Sequence, residues 1–253
     1  MGRSFDELVA EAESAPINGW DFSWLEGRAF EERPSWGYSR LVAERYQETE
    51  AVLDLQSGGG EMLCALPVLP RLLVATEGWA PNLSVAARNL RPRGAWVVAV
   101  PSDGLALPFA EASFDLVTAR HPVANWWAET ARVLRPGGSY LSQQVGPHSV
   151  VELTEFLMGP QPASSRRDPE LVAAEARSAG LSVTDLRSER LRTEFYDIGA
   201  VVYFLRLVVW IVPGFSAPAY RDRLLVLHRH IEREGLFQAN ASRFLIQAVK
   251  GSG

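Results

Sequence analysis

From Ala51 to Val145 the chain alternates apolar runs with segments of helical spacing, and this alternation narrows the fold more than any other feature. The runs are AVLDL (51–55), RLLVATE (71–77), AWVVAV (95–100), SFDLVTAR (113–120) and SYLSQQV (139–145). The first is apolar nearly throughout and ends in a glycine cluster, which is how a strand covered on both faces reads. Helical segments at Glu61–Leu66, Pro81–Leu90 and Ala124–Leu134 lie between the runs, and Arg135-Pro136-Gly137-Gly138 closes the last of them. Strands separated by helices pair in parallel through right-handed crossovers. The predicted fold class is α/β: a doubly wound, mostly parallel sheet of seven strands.

The last two strands are predicted as a pair, Leu181–Arg187 and Ser242–Val249, with a helix at Asp168–Ala179 before them. Between the pair lie an apolar segment, 198–212, and a helix at Ala219–Glu234. Residues 1–48 read as a prelude with short helices at Phe5–Ala12 and Leu41–Gln47. The expected organisation is one domain over 1–253. It has a helical and aromatic cap (1–48), a ligand-binding core (49–150) and a C-terminal part (151–253) with a substrate-side helical insertion at 197–235. The stretch Phe195–Phe215 reads as core, lid or dimer face, so a homodimer is among the expected states.

Composition narrows the function. The net charge is −5. Nucleic-acid binders carry a basic surplus or stripe; here small basic clusters at Arg88–Arg93, Arg166–Arg167 and Arg221–Arg233 are scattered. A small-molecule substrate is therefore expected. The single cysteine, Cys64, permits no internal disulfide and no Cys-rich zinc site, and no metal is expected. The N-terminus lacks the layout of a secretion signal. The run Ile198–Val212 is too short for a bilayer span and is broken by Arg206. A cytoplasmic location is the expectation.

The most informative stretch is Asp54-Leu55-Gln56-Ser57-Gly58-Gly59-Gly60, at the tip of the first predicted strand. Glycines there let a ligand approach the backbone without Cβ clashes. Open α/β sheets bind ligands beyond the carboxyl ends of such strands. Glu77 closes the second strand, where a carboxylate can accept from two ribose hydroxyls. A dinucleotide fingerprint, G-x-G-x-x-G, would need glycine where Leu63 stands. The chain also has no G-K-S/T phosphate loop. The ligand favoured is an adenosyl compound without a pyrophosphate.

Four stretches, VLDLQSGGGEML (52–63), ATEGWAPNL (75–83), DGLALPFAEASFDLV (103–117) and ARVLRPGGSYL (131–141), resemble in order and spacing the class I S-adenosylmethionine-dependent methyltransferases with a type 11-like domain. The resemblance covers about residues 50–146 and implies a Rossmann-like methyltransferase fold. In that family the first turn usually reads D-x-G-x-G-x-G; here Gln56 replaces the first glycine, which suggests a side-chain amide near the methionine portion of the cofactor. By resemblance, Asp54, Ser57, Gly58 and Gly60 line the methionine end of S-adenosyl-L-methionine. Glu77 holds the ribose, and Gly78 and Trp79 lie beside the adenine. Asp103 and Gly104 meet the adenine amino group. Ala119 or Arg120 closes over the cofactor, with Trp36 or Tyr38 contributed from the N-terminal side. Plain structural readings stand beside these: a strand-to-helix turn for Gly58–Gly60, a cap for Asp103, core packing for Trp79.

The resemblance implies in-line methyl transfer, with S-adenosyl-L-homocysteine as product, to a small-molecule acceptor. An RNA methyltransferase and a non-catalytic S-adenosylmethionine-binding protein are the alternatives. Alignment and water exclusion carry much of such a reaction. Oxygen or carbon nucleophiles often need a general base as well. His121, just after the fourth predicted strand, is the candidate base, with a loop histidine as the plain reading. His148 is second choice, and His228 and His230 read as helix-surface residues. The dense aromatic set Trp20, Phe22, Trp24, Trp126 and Trp127 reads as packing or as a substrate wall.

Overall fold

A computed structural model describes residues 3–17, 19–101, 106–161 and 167–252. In chain order the helices and strands are α1 (Phe5–Ser14), β1 (Ala29–Glu31), α2 (Tyr38–Gln47), β2 (Ala51–Leu55), α3 (Glu61–Cys64), β3 (Leu72–Glu77), α4 (Ala80–Leu90), β4 (Trp96–Ala99), β5 (Phe114–Arg120), α5 (Trp127–Val133), β6 (Leu134–Val145), α6 (Val151–Met158), α7 (Pro169–Ser178), β7 (Leu181–Phe195), α8 (Ile198–Leu207), α9 (Arg221–Glu234) and β8 (Phe237–Lys250). They fall into two compact units. Each unit is built from separate stretches of chain.

The larger unit comprises Pro34–Gly146, Ser165–Glu189 and Arg243–Gly253. It holds the sheet in the order β7-β8-β6-β5-β2-β3-β4. β2 pairs in parallel with β3 on one side and β5 on the other, β3 with β4, and β5 with β6. β8 runs antiparallel to β6. All five residues of β2 are buried, in keeping with a strand covered on both faces. From β2 the chain winds outward through β3 to β4, then returns to β5 on the other flank. The carboxyl ends of β2 and β5 therefore mark the point where strand order reverses, the place where open α/β sheets bind ligands. Two apolar clusters cover this sheet. One gathers Leu53, Val117, Trp126, Trp127 and Ala173; the other gathers Val42, Tyr46, Leu63, Ala86 and Leu90. Trp126 and Trp127 are thus core residues rather than a substrate wall.

The smaller unit comprises Met1–Arg33, Pro147–Ser164 and Arg190–Ser242. Its core joins Leu8 and Ala12 of α1, the buried residues of α8, Leu224 and Leu227 of α9, and Leu153 of α6. Every residue of α8 except Arg206 is buried, so this segment forms the interior of its own unit. Arg206, which interrupts the apolar run, donates to the backbone carbonyls of Ala12 and Ala15 at the end of α1. A guanidinium at a helix C-terminus satisfies orphan carbonyls and complements the helix dipole. Among the described residues no helix is long and apolar enough to cross a membrane. His228, expected on a surface, is 7% exposed, and its ring centroid lies 5.6 Å from that of Phe5.

Several element bounds differ from the sequence reading. β6 begins at Leu134 and runs through Arg135-Pro136-Gly137-Gly138, where the predicted helix stop lay. The β5–β6 register shifts between Phe114 and Leu116, and this irregularity accommodates the glycine pair. β7 and β8 are each longer than predicted. β1, which pairs antiparallel with Thr193–Phe195 of β7, gave no periodic signal because only three residues take part. α6 was likewise absent from the reading.

Candidate functional site

Asp54 stands on β2 opposite Ala75 of β3 and Thr118 of β5. The residue is 2% exposed. Oδ1 accepts from the Ser57 hydroxyl at 2.5 Å, and Oδ2 accepts from the Thr118 hydroxyl at 2.6 Å. Because Thr118 gives its proton to Asp54, the Tyr46 hydroxyl 3.0 Å away must be the donor of the next bond. Burial pushes the Asp54 carboxyl up to about 6, while the Ser57 and Thr118 hydroxyls and the Arg120 charge pull it down.

The glycine turn follows directly. Gln56, Gly58 and Gly60 all have positive φ, at 55°, 62° and 74°. At Gly60 an added Cβ would also come 2.7 Å from Leu90 Cδ1. Gly60→Ala is therefore expected to destabilise the protein by about 2 kcal/mol, read as a lower denaturation midpoint at unchanged m-value.

Glu77, the last residue of β3, ties this turn to the next. One carboxylate oxygen accepts from the Gly58 amide at 2.8 Å; the other accepts from the Gly78 and Trp79 amides at 2.9 and 2.8 Å. Four residues expected at the cofactor site, Gly58, Glu77, Gly78 and Trp79, are thus joined by hydrogen bonds. Trp79 is 52% exposed, which removes core packing as its role. Asp103 and Gly104 lie outside the described residues.

Gln56 does not present its amide to the crevice as the sequence suggested. Nε2 donates to the Ala124 carbonyl and Oε1 accepts from the Val123 amide, both at 2.7 Å. The side chain pins the loop after β5 onto the first turn. Gln56→Gly keeps the φ but removes both bonds. It should speed hydrogen exchange at the Val123 amide by about tenfold or more and cost about 1 kcal/mol of stability.

At the end of β5, Arg120 is exposed and pairs with Gln143 of β6. His121 follows with φ 53°. Its backbone amide donates to the Gln143 carbonyl at 2.7 Å, and its Nε2 lies 2.9 Å from Gln143 Nε2. The Trp36 indole N–H, which can only donate, reaches Gln143 Oε1 at 2.8 Å. That bond fixes the amide orientation: Gln143 must offer N–H to His121, so His121 Nε2 accepts and neutral His121 carries its hydrogen on Nδ1. Burial first, then the charges of Arg243, Arg120 and Arg167, hold the imidazole pKa well below its usual value. His121 is neutral at pH 7, with its Nε2 lone pair occupied.

Trp36 and Tyr38 are 3% and 4% exposed. The Tyr38 hydroxyl lies 3.0 Å from the Ala119 carbonyl and 3.3 Å from that of Leu141. His148 is exposed and belongs to the smaller unit. Four polar residues that shape this site escaped the sequence reading: Tyr46, Thr118, Gln143 and Asn125, which exchanges amide bonds with Gln144. A signal existed for some of them, since Thr118, Gln143 and Gln144 are polar residues within predicted strands.

Comparison with known proteins matches residues 53–142 to the methyltransferase domain family. This stretch runs from the strand bearing Asp54 to the one bearing Gln143. Over this stretch the chain is similar to a methyltransferase domain. Over 106 residues it is 33% identical to the demethylmenaquinone methyltransferase of Thermus thermophilus, covering 38% of this chain and 47% of that relative. The match therefore spans about half of the relative's length. Among solved structures, a Bacillus halodurans C-125 protein described as a candidate methyltransferase superimposes with a TM-score of 0.58 at 18% identity, over 86% of this chain and 99% of that one. The [4+2]-cyclase SpnF superimposes with a TM-score of 0.53 at 17% identity, over 98% and 93%. At these identities the two structures establish the fold.

The methyltransferase domain's own residues fit the cofactor. A buried carboxylate can be balanced by a cation, and the ammonium of a methionine moiety is one. The Glu77 carboxylate has about four acceptor sites, and its three backbone donors leave room for a hydroxyl. Among the described residues no cluster of His, Cys, Asp and Glu could hold a metal ion.

Proposed function

We propose that the chain transfers a methyl group from S-adenosyl-L-methionine to a small-molecule acceptor. The observation that carries this reading is the Asp54 carboxylate, buried at the sheet's switch point within one hydrogen-bonded frame with Ser57 and Thr118. Asp54, Ser57, Gly58 and Gly60 would hold the methionine end of the cofactor. Glu77 would hold the ribose, Gly78, Trp79, Asp103 and Gly104 would flank the adenine, and Arg120 and Trp36 would close over the cofactor. The cofactor, when bound, supplies a methyl group activated by a sulfonium.

The protein's contribution in this reading is alignment and exclusion of water. Neutral His121 can take a proton at Nε2 only after Gln143 releases it. A depressed pKa makes it a weak base besides. Its role as general base is therefore the lesser one; holding the acceptor is the greater. A small-molecule acceptor agrees with the net charge of −5. Binding without methyl transfer is the second reading, favoured by the cyclase that shares the fold.

The test is incubation with methyl-labelled cofactor and a metabolite extract, followed by mass identification of labelled products. A labelled small molecule is expected. Tight binding of S-adenosyl-L-homocysteine with no labelled product would favour the second reading.

A further inference from the structure

Two arginines, Arg120 and Arg243, stand by strand register beside the His121–Gln143 pair at the carboxyl ends of the central strands, and the charge of a third, Arg167, also acts on the His121 ring. Arg120 ends β5 and stands opposite Gln143. Arg243, on the far side of β6, stands opposite Val145, two residues beyond Gln143. His121 is fastened to Gln143 by both its backbone and its ring. Arg167 joins the other two: the three charges acting most strongly on the ring are all positive. Each of these arginines has interactions inside the protein, so an arriving ligand adds to or exchanges with them.

This grouping is not a drift of composition, because the whole chain is acidic. Arg167 and Arg243 are half-buried, where like charges are screened less than in open water. Guanidinium forks match carboxylate and phosphate oxygens in both geometry and charge. The crevice is thereby polarised. Asp54 and Glu77 make the β2–β3 side negative, suited to a cationic cofactor. The β5–β6–β8 side is positive.

We propose that the methyl acceptor is a small anion, a carboxylate or a phosphate ester, held by Arg120, Arg167 and Arg243 with the Nδ1–H of neutral His121 as a further donor. This rests on the methyltransferase reading. It excludes a neutral or cationic acceptor, which this side of the crevice would repel or leave unmatched.

Two measurements on the full chain test it. In protein saturated with S-adenosyl-L-homocysteine, the 15N-labelled His121 ring is followed by NMR while succinate or inorganic phosphate is added. One of the two should shift the ring resonances saturably and raise the imidazole pKa by about one pH unit, since an anion offsets the surrounding charge. The anion that does so distinguishes a carboxylate acceptor from a phosphate. Arg243→Gln and, separately, Arg167→Gln should weaken that binding by about tenfold or more while changing S-adenosyl-L-homocysteine affinity less than about twofold. No response to either anion, or equal binding by both variants, in protein that still binds S-adenosyl-L-homocysteine would overturn the anionic acceptor alone. Loss of S-adenosyl-L-homocysteine binding by the unaltered chain would overturn the methyltransferase reading beneath it. The second measurement is the chemical class of the product labelled in the extract: a carboxylate or phosphate supports the proposal, and a neutral or cationic product contradicts it.

Discussion

Asp54→Asn is expected to make the protein more stable at pH 8 and to remove most of its cofactor affinity. The folded carboxyl titrates at about 6, above the ordinary value of 3.8. The folded state therefore binds this proton more tightly than the unfolded chain does. The stability it confers is full below about pH 4 and is lost as pH rises through about 6. Above that window the buried charge costs about 3 kcal/mol relative to the acid form, at about 1.36 kcal/mol per pH unit. An asparagine keeps one acceptor for the Ser57 or Thr118 hydroxyl and carries no charge to bury. The melting temperature at pH 8 should rise by about 5 °C, and the difference should vanish near pH 4. Cofactor affinity should fall about 100-fold, because the ammonium partner loses its counter-charge in a buried setting. Calorimetric melts at both pH values and titration with S-adenosyl-L-homocysteine read the two effects. A variant less stable than the natural protein at pH 8 would show that the carboxylate is not strained by burial. The same logic makes cofactor binding by the unaltered chain weaken below about pH 6, as Asp54 takes up its proton.

Glu77→Ala should be the most damaging single change to cofactor binding that leaves the sheet intact. It removes the proposed ribose acceptor and leaves the Gly58, Gly78 and Trp79 amides without their partner. An affinity loss of about 100-fold or more is expected, with about 1–2 kcal/mol of stability, since these amides can partly turn to water. Glu77→Gln keeps one acceptor oxygen and should fall between the two. If Glu77→Ala loses stability but binds S-adenosyl-L-homocysteine normally, the carboxylate is a brace for the glycine turn and nothing more.

The parallel core was legible because its signals are local. A buried strand such as AVLDL announces itself by composition, and a glycine cluster at its tip announces the turn. The existence of β2 to β6 as strands follows from these, whereas their order in the sheet comes from the structure. What escaped depends on contacts between residues far apart in the chain. Gln56 looked like a departure from a glycine motif and a candidate cofactor contact, yet it is a brace, and its partners sit 67 and 68 residues away. His121 could be flagged as a histidine at the cofactor end of the sheet. Its tautomer depends on Gln143 and Trp36, which no spacing rule brings together. His228 was misjudged because a helix facing an apolar core can bury an imidazole against a ring such as Phe5. The three-residue strand β1 is too short for any period to register.

In the proposed function the cofactor lies at the switch point between β2 and β5, with its methionine end on Asp54 and its ribose on Glu77. A crystal structure of the complex with S-adenosyl-L-homocysteine tests this most directly. The ligand's ammonium is expected at hydrogen-bonding distance from the Asp54 frame and its ribose hydroxyls on Glu77. A ligand bound elsewhere, with Glu77 still closed on all three backbone amides, would contradict it.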